Sequence, residues 1–219
     1  MSHMFTANRS LLFSAFLLLP GFLSAAEAPA PETCTYDSYN WNIYKKRAVN
    51  MARVKHPYSE LTAEEKDAET GCTVCLEDQK LMKVGNIEPF YICGKVADKV
   101  RARLERLLAE GEPVLEVIAY RPGKTKNPLD KKGNRTGFSN HAYGSAVDIN
   151  RSKNGLYDNC FKFGPACRLI QGGAWKSGAR GALSKDSSIV RGMRDAGFRW
   201  GGEIEGAQKD FMHFSLTGY

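Results

Sequence analysis

The stretch SNHAYGSAVDIN, residues 139–150, contains a histidine and an aspartate seven residues apart. Val147 and Ile149 alternate with Asp148, and this period of two predicts a strand with the two apolar residues facing a core and Asp148 facing the opposite side. His141 precedes the strand, on the loop that leads into it. The stretch therefore predicts a site in which a strand residue and a loop residue act together.

The sequence pattern between residues 39 and 110 predicts helices. Residues 39–55, Tyr39 to Lys55, are predicted to form a helix that ends before Pro57. The sequence TAEE at 62–65 has the spacing of a capping box, which predicts a short polar helix. Apolar residues at helical spacing predict another helix from Lys95 to Glu110, ended by Gly111.

The second half predicts a small sheet. VLEVIAY (114–120) is predicted to be a strand, and the polar stretch 123–138 a loop. A helix is predicted over 187–197, and FMHFSL (211–216) alternates as a strand does. Helices followed by a small antiparallel sheet indicate the α+β class, with the sheet carrying the site and helices flanking it.

The N-terminus has the pattern of a secretory signal. Arg9 is followed by an apolar run interrupted by Pro20 and ending in small residues, so residues 1–26 are predicted to be a signal peptide. The run is short for a membrane span. We therefore expect a periplasmic or secreted protein without a stable membrane anchor after cleavage.

Length and charge restrict the classes of function. The 219 residues, 42% of them hydrophobic, fit one domain with elaborations and exclude wholesale disorder. The formal net charge of +7 is spread along the chain, without a basic stripe interleaved with aromatics, so no nucleic acid partner is expected. We expect an N-terminal extension at 27–93, which matches no pattern, and a functional domain at 94–219.

Six cysteines in an exported chain predict up to three disulfides. Cys160 and Cys167 flank a Gly-Pro turn and are predicted to pair. The other four, Cys34, Cys72, Cys75 and Cys93, leave three pairings open. CTVC (72–75) has the spacing of a redox or zinc motif, but it lacks a second such pair, which favours disulfides.

Polar side chains on the two strands suggest a metal site. His141, Asp148 and His213 are the ligand types of a catalytic zinc, with a fourth position left for water. Asp210 lies three residues before His213, and Glu203 and Glu205 lie just upstream. These carboxylates are candidates for moving a proton between water and a leaving amine. Two histidines on strands also arise by chance, so spacing leaves the metal undecided.

Three motifs resemble one family. SNHAYGSAVDIN resembles the S-x-H-x-x-G-x-A-x-D signature of zinc D,D-carboxypeptidases of the VanX/VanY type, which are related to L-alanyl-D-glutamate endopeptidases. GFRWGGE with KDFMHFS resembles the ending W-G-G-[DE] … D-P-M-H-F-E, and IAYRPG resembles S-G-Y-R-S. The motifs come in the order of the family and span 114–216.

The resemblance implies roles for individual residues. It implies that His141, Asp148 and His213 bind Zn²⁺, that Asp210 is the catalytic carboxylate, and that Arg121 stabilises an oxyanion or the carboxylate of the substrate. Ser139 and Trp200 would support the pocket. The chain departs from the pattern at Pro122, Phe211 and Ser215, and the last two positions bear on the substrate subsite.

The expected function is hydrolysis of peptide bonds in peptidoglycan stem peptides, either as a carboxypeptidase or as an endopeptidase. The alternative is a non-catalytic, zinc-containing module for cell-wall binding or signalling, since the hedgehog signalling domain resembles this fold. Asp210 together with Arg121 favours the enzyme, because a binding module needs neither.

Overall fold

The structure, a computed structural model, describes Met1 and residues 29–219. The predicted signal peptide lies outside the described residues. Among the residues that are described, no helix is long and apolar enough to cross a membrane.

The described chain contains two α-helices and thirteen short strands, which confirms the α+β class. The helices are α1 (Gly94–Ala109) and α2 (Ser188–Asp195). The strands are β1 (Thr33–Asn42), β2 (Arg47–Pro57), β3 (Gln79–Val84), β4 (Ile87–Cys93), β5 (Val117–Ile118), β6 (Lys124–Leu129), β7 (Arg135–Phe138), β8 (Ala146–Ile149), β9 (Leu156–Asp158), β10 (Arg168–Gln171), β11 (Arg199–Trp200), β12 (Lys209–Asp210) and β13 (His213–Ser215).

The strands form four small sheets. The central sheet has the order β11-β13-β8-β5 and is antiparallel throughout, and a second antiparallel sheet has the order β10-β9-β12. A third sheet, β2-β1-β6-β7, has one parallel contact, between β1 and β6, and β3 pairs with β4 in a hairpin. The central sheet carries the residues that the sequence singles out.

The main core lies between the central sheet and the helices. Val147 and Ile149 of β8 belong to the same buried cluster as Leu104 of α1 and Ile189 of α2. Burial of apolar side chains is the main stabilising contribution to a fold. Because Val147 and Ile149 are buried in this core, apolar residues recur at every second position of β8. All four residues of β8 are buried, so Asp148 faces a buried site rather than solvent.

The predicted helix at 39–55 is wrong. These residues lie in the hairpin of β1 and β2, which pair from Thr33↔Pro57 to Asn42↔Arg47. Most of β2 is exposed, so its sequence lacks the alternation that burial of one face imposes. The hairpin is held instead by ladder hydrogen bonds and by contacts far away in sequence.

The predicted loop at 123–138 is also wrong, because it forms the hairpin of β6 and β7. The two strands are largely polar and join the sheet of β1 at its edge. Of the predicted strand at 114–120, only Val117–Ile118 forms a strand, β5. The predicted helices at 95–110 and 187–197 are confirmed as α1 and α2. The capping box at Thr62 is present and begins a single 3₁₀ turn, Ala63–Glu65.

The cysteines form three disulfides, as predicted, and Cys160 pairs with Cys167. Cys34 pairs with Cys75, and Cys72 pairs with Cys93. The two cysteines of CTVC therefore bind different partners, which excludes a disulfide between them. Residues 31–219 form one compact unit, and the functional boundary at residue 93 stays a prediction.

Candidate metal centre and active site

Three side chains predicted from the sequence meet at one point. Nε2 of His141 lies 3.0 Å from Oδ1 of Asp148 and 3.1 Å from Nδ1 of His213, and the latter two atoms are 3.2 Å apart. The ligand atoms of this group, which could hold a metal ion, lie within 4.8 Å of one another. His141 and Asp148 are buried, and His213 is slightly more exposed.

The central sheet sets this arrangement. His213 of β13 pairs directly with Asp148 of β8, and directly paired side chains on one face of a sheet lie side by side. His141 enters from the 3₁₀ turn Asn140–Tyr143, which ends at Gly144 with a φ of +65°. A left-handed residue favours glycine, and this one turns the chain from the His141 turn into β8.

The hydrogen bonds of His141 indicate that its Nε2 needs a cation. Nδ1 lies 2.7 Å from the carbonyl oxygen of Ala119, which can only accept, so Nδ1 carries a hydrogen. Nε2 of the neutral ring then presents a lone pair to the carboxylate of Asp148. These atoms repel each other unless a proton or metal ion lies between them. A carbonyl that orients a histidine in this way is common at metal sites.

The dimensions of the group fit a metal ion. Tetrahedral zinc with bonds of about 2.0–2.1 Å places its ligand atoms about 3.3 Å apart, close to the separations of His141, Asp148 and His213. Burial alone would raise the pKa of Asp148, but the neighbouring histidines hold that pKa well below its ordinary value. Asp148 is therefore an anion, as a metal ligand must be.

Arg121 lies beside the group. Its Nη2 donates to Oδ2 of Asp148 at 3.3 Å, and its backbone N–H donates to the carbonyl of His141 at 3.1 Å. The side chain is 37% exposed. The guanidinium thus contacts the buried carboxylate while part of it faces solvent, where it can meet a ligand.

Asp210 lies on β12, in the neighbouring sheet. Its Oδ1 is buried, and no residue in the described part of the chain forms a hydrogen bond with it. Burial and, to a smaller extent, the charge of Asp148 raise the pKa of Asp210 to about 7, against the opposing effects of His213 and Arg121. A buried carboxyl group with a free oxygen next to a candidate metal group is suited to exchanging protons.

The supporting residues differ in what they contact. Trp200 is buried and its Nε1 donates to the carbonyl of Phe211 at 2.8 Å, so it holds the segment between Asp210 and His213. Ser139 is buried, and its Oγ has no partner among the described residues. Glu203 forms an ion pair with Arg194 of α2 and is engaged there.

His56 lies outside the candidate metal group. It lies on β2, remote in sequence from the candidate metal group, and its Nε2 lies 2.9 Å from Oε1 of Glu65. The pairing requires β2 to fold against the Ala63–Glu65 turn, and no local pattern indicates this.

Two further residues at the site are not predicted from the sequence. Asn140 donates from Nδ2 to Ser215 Oγ and to the carbonyl of Gly218; its position beside His141 in the motif is the signal that could have identified it. The ring of Tyr219 lies 5.5 Å from that of His213. Burial, with Asp210 nearby, raises the pKa of Tyr219, and nothing in the local sequence marks this residue.

The comparison with known families agrees with the geometry. Residues 132–216 match the family described as D-alanyl-D-alanine carboxypeptidase. The matched region contains His141, Asp148, Asp210 and His213, whereas Arg121 precedes it. No solved structure matches this chain significantly. The resemblance drawn from the sequence motifs is confirmed for residues 132–216, which match this family of peptidases.

Proposed function

We propose that this protein is an exported zinc metallopeptidase that hydrolyses peptide bonds in bacterial peptidoglycan stem peptides. The observation that carries the proposal is the triangle of His141, Asp148 and His213 within a region that matches a carboxypeptidase family. Two imidazoles and one carboxylate are the ligands of many catalytic zinc sites and leave a coordination position for substrate or water.

The metal ion and Asp210 have different roles in this proposal. A bound zinc ion supplies Lewis acidity toward a peptide carbonyl and toward water. Asp210 takes a proton from the attacking water and returns it to the leaving amine. Its burial and its unpaired Oδ1 support this role, because the oxygen is not committed to another donor.

Arg121 stabilises negative charge on the substrate. A guanidinium holds a carboxylate or an oxyanion through two parallel hydrogen bonds. One of its nitrogens contacts Asp148, and the partly exposed side chain leaves further donors for a ligand. Either the developing oxyanion or a substrate carboxylate fits this position.

The disulfides support export. All six cysteines are paired, and disulfides persist in the periplasm and outside the cell. The signal-peptide pattern at residues 1–26 also indicates export. The expected partners are therefore stem peptides of the cell wall.

Digestion of purified peptidoglycan tests the proposal. The protein is incubated with the polymer as purified, with a chelator, and with zinc restored, and the fragments are identified by mass spectrometry. Release of a terminal D-residue identifies a carboxypeptidase, and a cut inside the stem identifies an endopeptidase. Zinc-loaded protein that binds peptidoglycan but releases no fragment would instead be the non-catalytic module.

A further inference from the structure

The turn that carries His141 contacts a part of the chain outside the matched family region. We call residues 58–93 the brace. Tyr143 Oη donates to the carbonyl of Glu64 at 2.8 Å, and the backbone N–H of Cys93 donates to the carbonyl of Gly144 at 3.2 Å. The brace thus forms hydrogen bonds with Tyr143 and Gly144, the two residues that follow Ala142.

The brace also holds the segment on the other side of His141. Tyr120 Oη donates to the carbonyl of Val74 at 2.8 Å, and its backbone N–H donates to the carbonyl of Tyr91 at 2.8 Å. The neighbours of Tyr120 are the two residues that fix His141 directly, Ala119 through its carbonyl and Arg121 through its backbone N–H. Both supports of His141 therefore rest on the brace.

The contact at Gly144 is too close for a side chain. A Cβ at this position would overlap Oε1 of Gln79 and lie 2.5 Å from the backbone nitrogen of Cys93. The brace therefore packs directly against the backbone of the turn. This glycine is needed for the close approach as well as for its left-handed φ.

The brace is cross-linked by two disulfides. Cys72–Cys93 joins its middle to its C-terminal end, and Cys34–Cys75 joins its middle to β1. Gln79 donates from Nε2 to the carbonyls of Thr73 and Cys75, and all four cysteines are buried. A cross-linked, buried segment can fix the position of what it contacts.

We infer that the contacts of the brace with Tyr120 and Tyr143 position His141 for metal binding. The inference rests on the proposed function, since it assumes that His141 is a ligand. It assigns a role to residues 58–93, which precede the matched family region. Tyr120 and Tyr143 act as positioning residues: Tyr120 lies between the two supports of His141, Tyr143 lies on the turn that carries His141, and neither is a proposed ligand.

The test uses three hydroxyl groups that form bonds of equal length. Tyr120→Phe and Tyr143→Phe each remove a bond of 2.8 Å between the brace and a segment that holds His141. The matched control, Tyr58→Phe, removes a bond of 2.8 Å from Tyr58 Oη to Asp78, which lies within the brace. Zinc affinity is measured by competition with a chromophoric chelator, and thermal unfolding is measured on the metal-free proteins.

The double variant Tyr120→Phe/Tyr143→Phe is expected to bind zinc roughly tenfold more weakly than wild type, the size of effect typical of residues that orient ligands. Tyr58→Phe is expected to keep wild-type affinity, although its thermal stability falls. Cobalt bound in place of zinc should show an altered visible spectrum only in the double variant.

Wild-type zinc affinity in the double variant, with a loss of stability like that of Tyr58→Phe, overturns the inference and leaves the brace as scaffold. The proposed function fails in other ways. A wild-type chain that binds no zinc overturns the metal site and the brace together. Zinc bound normally without peptidoglycan cleavage overturns the peptidase and leaves the positioning role standing.

Discussion

Asp148 and His213 stand directly opposite each other on β8 and β13, with Oδ1 and Nδ1 3.2 Å apart. Because side chains alternate along a strand, a slip of one residue in this pairing would turn one of them away from the other. The buried neighbours Val147 and Phe214, which also pair, fix the register. The metal group thus depends on the packing of apolar residues behind it.

The two carboxylates should respond differently to the same substitution. Asp210→Asn keeps the shape and removes the basic oxygen, and positioned proton transfer contributes about 10²–10⁴-fold, so peptide cleavage should fall by about this factor. Its zinc content should stay near that of wild type. Asp148→Asn should lose zinc as well as activity, because an amide is a poorer ligand. Elemental analysis with a cleavage assay checks both, and the opposite pattern would exchange the two assignments.

Arg121→Lys should lose most of the activity while the fold and the zinc remain. A lysine ammonium cannot form two parallel hydrogen bonds to a carboxylate or an oxyanion. Turnover is compared with zinc content and circular dichroism. Arg135→Lys, on β7, serves as a control at a partly buried arginine that donates to Asn127. Turnover of Arg121→Lys equal to that of wild type would remove Arg121 from the mechanism.

The buried carboxylate of Glu65 should make stability depend on pH in acid. Burial alone would raise its pKa, but hydrogen bonds from Thr62, Tyr36 and His56 outweigh burial and lower the pKa from 4.5 to about 2. A group of this kind stabilises the fold above its unfolded-state pKa, and the contribution is lost as the pH falls toward the folded value. Roughly 2–3 kcal/mol should disappear between about pH 5 and pH 2.

Glu65→Gln is the control for this loss. Its free energy of unfolding, measured by denaturant titration of the metal-free protein, should fall less steeply over the same range. The hydrogen bonds of His56 to the Pro57 carbonyl and to Glu65 raise the pKa of His56 above 6.5, so its contribution is complete below pH 6.5 and is lost as the pH rises through the folded value. If the free energy of unfolding of Glu65→Gln fell with acid as steeply as that of wild type, the loss could not be assigned to Glu65.

The disulfide between Cys160 and Cys167 should stabilise the chain without affecting metal binding. It closes a short loop between β9 and β10, and a loop of this length is worth about 2–3 kcal/mol through the unfolded state. Cys160→Ser/Cys167→Ser should lower the free energy of unfolding by about this amount at unchanged zinc affinity. Peptide mapping of the wild type under non-reducing conditions should recover the bridge.

The sequence predicts best where burial imposes a period. Helix α1 follows from Val100, Leu104 and Leu107, which all face the core, and β8 follows from Val147 and Ile149. The meeting of His141, Asp148 and His213 could be predicted from the motifs, because the strand register pairs Asp148 of one motif with His213 of the other. Here the local pattern and the tertiary structure agree.

The hairpins at 33–57 and 124–138 could not be predicted in this way. Most of β2 and half of β6 are exposed, and β1 and β7 are buried or partly buried without regular alternation. No apolar period therefore marks these strands, and they are held by cross-strand pairing and by Cys34–Cys75. Tertiary contacts of this kind override local propensity. The ring of Tyr219 beside His213 is likewise a meeting of distant segments that no spacing reveals.

The pairing of β8 with β13 joins Asp148 to a residue 65 positions further along the chain. A metal ion held by both strands is therefore a reversible cross-link across a long loop. The two ligands do not meet in the unfolded chain, so the ion would bind the folded chain alone and stabilise it by mass action. Chelation would remove that stabilisation in a single step, so metal supply would govern how long the folded chain survives as well as whether it reacts.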